Sequence, residues 1–85
     1  MRLRADALEW REVEGEIVAL DLRRSVYLAV NRTGAALWPL LVDGASRNAL
    51  TARLRKEFEI EDDEAIADVD RFLAELRKND LVEEP

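Results

Sequence analysis

The sequence predicts an α+β domain in which a three-stranded antiparallel β-meander is followed by three helices. Three observations carry this reading. Short runs rich in Val, Ile, Leu and Trp, with turn residues between them, fill the chain as far as Val30, whereas beyond Asn31 the apolar residues recur at helical spacing. A Glu14-Gly15 pair divides the first two runs at a place suited to a tight hairpin. The later segments open on residues that start helices: Asn31, Ser46 and the acidic cluster Glu61-Asp62-Asp63-Glu64.

In chain order, the first strand is expected near residues 8–13 and the second near 16–22. A polar turn at Arg23-Arg24-Ser25 leads into a third strand from Val26 to Val30. Alternation places Val26, Leu28 and Val30 on one face and Tyr27 and Ala29 on the other. Asn31 then caps a helix over roughly 32–42, its side-chain oxygen accepting a backbone N–H left unpaired in the first turn. Ala35, Leu37, Trp38 and Leu41 form that helix's apolar face. Pro39 lacks an N–H and crowds the carbonyl four residues back, which predicts a kink or a 3₁₀-like ending near Trp38.

Asp43-Gly44 stops the element, and Ser46 caps a second helix of about 47–57 in which Leu50, Leu54 and Phe58 share one stripe. Arg47, Arg53, Arg55 and Lys56 lie mostly off that stripe. The four acids at 61–64 suit the positive end of a third helix, about 63–79. At ~100° per residue, Phe72, Ala65, Leu76, Val69, Leu73 and Ile66 fall within an arc of roughly 120° on it. Phe72 and Ala65 border that stripe beside Asp68. Leu81-Val82 can fold back over the foot of the helix.

Composition narrows the chemistry. Eighty-five residues with 48% hydrophobic and 38% charged side chains suit one small folded domain spanning residues 1–85. Cysteine and histidine are both absent, so disulfides, thiolate nucleophiles and nearly all zinc or copper sites are excluded. No cofactor and no catalytic residue is expected. MRLRADALEW contains no apolar run of signal-peptide length, and no stretch approaches the ~18 apolar residues of a membrane span, so a cytoplasmic protein without a membrane partner is expected. The acids at 61–64 lack the spacing of a metal loop and read as helix-start residues. Asp68 and Asp70 face different ways and cannot converge on one ion.

Trp10 and Trp38 are read as core residues. Tyr27 reads either as a half-covered surface aromatic or as a contact residue beside an open strand edge. The arrangement is winged helix-turn-helix-like, which raises a nucleic-acid-binding regulator as the alternative function, with the basic second helix as its contact surface. Charge weighs against it. Residues 61–85 carry three basic against ten acidic side chains, and the formal charge of the whole chain is −6. Such a surface repels phosphate backbones.

In order, EGEIVALDLRRSVYLAVNRTGAALWPLL, DGASRNALTARLRKEF and IADVDRFLAELRKNDLVEE resemble the PqqD-like family, the precursor-peptide recognition elements of ribosomally made, modified peptides. The most specific parts are the junction YLAVNRTGAALW, the Asp-Gly before the second helix, and DVDRFLAEL with a terminal Leu. The resemblance implies a non-catalytic domain that binds the leader of a precursor peptide. The leader would add as a further strand in the groove between the third strand and the third helix. On this sequence one wall would be Val26, Tyr27, Leu28 and Ala29, and the other Asp68, Val69, Phe72, Leu73 and Leu76. A free-standing domain of this length is most similar to the discrete leader-binding proteins of lasso-peptide clusters. That implies a leader peptidase of cysteine-protease type as partner, a cyclase as a further one, and a leader with an aromatic residue and a nearby proline. Pro39 departs from the family, which commonly continues its first helix with a polar residue. Independently of the family, the third strand holds no Pro, Lys or inward charge to blunt its edge, which leaves it open to pairing with another chain.

Overall fold

In a computed structural model, which describes residues 1–84, the described residues form five strands, a 3₁₀ turn at Ala5–Ala7 and three α-helices. Strands β2 (Leu8–Val13), β3 (Glu16–Asp21) and β4 (Val26–Val30) make the expected antiparallel meander, in the order β2-β3-β4. Glu14 and Gly15 both take positive φ, 54° and 82°, as the twist-matched two-residue hairpin requires. The register Ala19↔Leu28 and Ile17↔Val30 puts Leu28 and Val30 on the buried face with Ala19 and Ile17. Val26 shares that face but lies at the strand's start and is 50% exposed, so the inward stripe ends at Leu28.

Helices α1 (Arg32–Asp43), α2 (Arg47–Phe58) and α3 (Asp62–Lys78) follow. Asn31 Oδ1 accepts the Gly34 N–H at 3.0 Å, and Ser46 Oγ accepts the Ala49 N–H at 3.1 Å, so both expected caps are formed. The expected break at Pro39 is absent: α1 runs unbroken through it to Asp43. Pro39 is exposed, while its neighbours Leu37, Trp38 and Leu41 are fully buried. Packing on both sides of the proline outweighs the one hydrogen bond it forfeits, and its ring meets solvent rather than a packed neighbour.

The core joins the inner sheet face to the helices through Ile17, Ala19, Leu37, Trp38, Leu50, Leu54, Val69 and Leu73. Trp38 is buried as expected. Trp10 is not a core residue: it is 37% exposed and lays its ring edge-on against Trp38, with centroids 5.7 Å apart. It sits on β2, an edge strand of the sheet, and leaves part of its ring to solvent.

Helix α3 ends in a Schellman motif. Asp80 takes a φ of 54°, its N–H donates to the Arg77 carbonyl, and the Leu81 N–H donates to the Leu76 carbonyl at 2.9 Å. Leu81 is thereby driven into the core, as the sequence suggested. Val82–Glu83 then forms β5, which pairs antiparallel with β1 (Arg2–Leu3), a ladder that no sequence pattern announced. The Met1 ammonium and the Ala45 N–H complete this corner, donating to the Ala45 and Met1 carbonyls respectively.

Pro39→Ala restores the missing N–H and should raise unfolding stability by about 1–3 kcal/mol, read from urea denaturation. A variant less stable than the native chain would show that the proline is not a cost to α1.

Candidate functional site: a groove beside an open strand edge

Strand β4 pairs with β3 along one side, and its other side carries backbone N–H and C=O groups with no strand opposite them among the described residues. The second sheet edge, β2, bears Glu9, Arg11 and Glu12, which discourage pairing. β4 reads Val-Tyr-Leu-Ala-Val and has no such protection.

Beside this edge lies a groove of about 400 Å³. Leu28, Ala29 and Val30 of β4, with Asn31 and Thr33 at the start of α1, form one wall. Asp68, Arg71, Phe72, Glu75, Leu76 and Asn79 of α3 form the other, and Leu81 closes one end. The lining alternates between an apolar floor and a charged lip. Arg71 bridges Asp68 at 3.1 Å along the lip, while Glu75 faces the groove with no cationic partner among the described residues.

Of the nine residues singled out from the sequence, the structure brings Leu28, Ala29, Asp68, Phe72 and Leu76 together in this groove. Val69 and Leu73 are fully buried behind it, because they lie on the stripe away from its Phe72 border. Tyr27 does not line the groove either. Its cross-strand partner is Leu20, on the outer face, and it is 71% exposed over a shallow hollow shared with Trp10 and Val18. Val26 also lies outside the lining. The sequence reading missed Val30, Asn31, Thr33, Arg71, Glu75, Asn79 and Leu81. The helical spacing of 68, 72, 75 and 79 could have identified the α3 members, since those positions share one side of the helix.

The far end of the groove is held by Arg23. Its guanidinium donates to the Asp80 carbonyl at 2.9 Å and to the Asn79 carbonyl at 3.3 Å, and it pairs with Asp80 Oδ2 at 3.3 Å. Asp21, which is buried, anchors the same arginine by accepting its backbone N–H at 3.0 Å. The β3–β4 turn is thereby tied to the end of α3. Burial pushes the Asp21 carboxyl up, but the hydrogen bonds from the Arg23 backbone and side chain, the Arg23 charge and the Arg24 backbone together outweigh it and hold the group below its ordinary 3.8.

Three of the four basic residues of α2 have partners. Arg47 makes a two-pronged pair with Asp70, both distances 2.7 Å, Arg53 pairs with Glu57, and Arg55 with Asp62. Hydrogen bonding and charge from Arg47 hold the Asp70 carboxyl low. The surface considered for nucleic acid is thus largely neutralised by acids of α2 and α3. No group of three or more acidic residues is placed to hold a metal ion among the described residues, and no described helix is long and apolar enough to cross a membrane.

Because the folded Asp21 group lies below 3.8, its stabilisation is present above that value and is lost as the pH falls through the lower folded one. The urea midpoint should therefore decline on acidification below about pH 4, and Asp21→Asn should flatten that decline. Arg23→Ala should speed amide exchange at Asn79–Leu81 with little change in β2. Equal rates in the variant would show that Arg23 does not hold this end of the groove.

No curated protein sequence matches the chain. Among solved structures, the one described as TbiB1 in complex with the TbiA(beta) leader peptide is similar over all of this chain and 98% of its own, with 24% identity and a TM-score of 0.86. A second, lasso peptide synthetase B1 complexed with the leader peptide, is 28% identical over 98% of this chain and 96% of its own, with a TM-score of 0.80. The family model described as Coenzyme PQQ synthesis protein D (PqqD) matches residues 16–82, from β3 through the start of β5. With the meander, the three helices and the groove in place, and most of its length matched by that model, the chain belongs to the PqqD family.

Proposed function

We propose that this protein is a non-catalytic domain that binds the leader segment of a ribosomally made precursor peptide by strand addition along β4. The observation that carries the proposal is the uncharged, unpaired edge of β4 beside the apolar groove against α3. Backbone groups of β4 would supply affinity through main-chain hydrogen bonds, and Leu28, Phe72 and Leu76 would receive alternate leader side chains. The similar structure of lasso peptide synthetase B1 with the leader peptide supports this reading and a lasso-peptide setting for it, and the TbiB1 complex shares the fold. They lend no support to nucleic-acid binding.

Within this reading, Leu28, Ala29, Asp68, Phe72 and Leu76 contact the leader through side chains, and Val26 and Tyr27 through backbone alone. Val69 and Leu73 act from behind by fixing the position of α3. The 85-residue domain works in the cytoplasm without a cofactor. It hands the bound leader to a leader peptidase of cysteine-protease type, with a cyclase acting on the released core.

Titration of a fluorescein-labelled synthetic leader, taken from the precursor gene beside the one for this chain, should saturate at submicromolar concentration, on the order of −8 kcal/mol or better. Phe72→Glu places a charge in the groove and should weaken binding by roughly tenfold or more while circular dichroism stays native. Saturable binding unaffected by that charge would remove the groove from the account.

A further inference from the structure

Gly34 lies in the first turn of α1, at a position where Ala would be the better helix former. Its conformation is not what calls for glycine: it is an ordinary helical residue, and its N–H is held by the Asn31 cap. The cause is space. A Cβ added there would lie 2.7 Å from Val30 Cγ1, 2.9 Å from Phe72 Cε1 and 3.2 Å from Phe72 Cδ1. Both neighbours line the groove.

Val30 is buried in β4, and its branched side chain is stiff about χ1. Helix α3 cannot retreat, because Val69 and Leu73, on either side of Phe72 in the sequence, are fully buried. The Phe72 ring is half-exposed and borders open volume, so the groove is the direction in which it can yield. We infer that the missing side chain at residue 34 sets the depth of the groove. Gly34 lets the Phe72 ring lie back against α1, which keeps room for a leader side chain. A residue with a Cβ would push the ring forward and fill that room.

Gly34 is thus a specificity-determining residue that acts through Phe72. The inference rests on the leader-binding reading, and one set of measurements separates the two. The chain holds two phenylalanines, Phe58 and Phe72, so fluorophenylalanine labelling gives two ¹⁹F resonances, and Phe72→Leu identifies the second. In Gly34→Ala the Phe72 resonance should move in the absence of any peptide. Affinity for the fluorescein-labelled synthetic leader should fall by roughly tenfold or more. In the Phe72→Leu background the same Gly34→Ala change should cost much less, a non-additivity that a general weakening of α1 would not produce.

Equal losses in both backgrounds, or an unmoved Phe72 resonance, would overturn the role of Gly34 while leaving leader binding intact. A native protein that does not bind the labelled leader would overturn the leader reading and the specificity role with it. Should Gly34→Ala alone fail to fold, the double variant decides: recovery of fold and binding supports the inference, and failure to recover either contradicts it.

Discussion

The structure depends on a division of labour in α3, which must pack on the core without covering the edge of β4. Val69 and Leu73 meet this constraint. They anchor the helix among α2, α1 and the C-terminal segment, and contacts between α3 and β4 themselves are sparse. At the border of the same stripe Phe72 stays half-exposed, and Leu76, though buried, still reaches the groove lining. A groove results from ordinary helix packing one turn away from a strand edge. Arg23 and the Schellman turn at Asp80 fix its far end, and the cap at Asn31 fixes its near end.

Charge acts mainly to hold the helices in register. Arg47 and Asp70 tie α2 to α3, Arg55 ties the end of α2 to the start of α3, and Arg4 links the N-terminal segment to Asp80 and Glu83. Each of these pairs is exposed and individually contributes little. Those at Arg47 and Arg55 set acids of α3 against half of the four basic residues of α2. What remains at the groove is a lip with two carboxylates and one arginine, over an apolar floor.

Much of this was legible in the residues. The meander, both side-chain caps, the face of β4 that holds Leu28 and Val30, and the collapse of Leu81 onto the foot of α3 follow from alternation, capping chemistry and helical spacing. The failures have physical causes as well. A proline rule written for isolated helices does not include the buried Leu37, Trp38 and Leu41 that hold α1 together around Pro39. Trp10 follows the inward alternation of its strand, but on an edge strand where Trp38 meets its ring edge-on and part of it stays exposed. Periodicity places Val69 and Leu73 on one stripe with Phe72 and does not say which part of that stripe stays open. The two-residue ladder of β1 with β5 is too short to leave any period at all. The close approach of Val30 and Phe72 to Gly34 is a three-dimensional fact that no sequence spacing encodes.

The central claim is that a peptide strand pairs with the open side of β4. Amide hydrogen exchange measured residue by residue, with and without saturating leader peptide, tests it most directly. The account predicts that the outward-pointing amides among residues 26–30 slow by an order of magnitude or more, as those of a strand moved from edge to interior do, while β2 is unchanged. Protection that appears on α2 or β2 and leaves β4 exchanging at its free rate would contradict it.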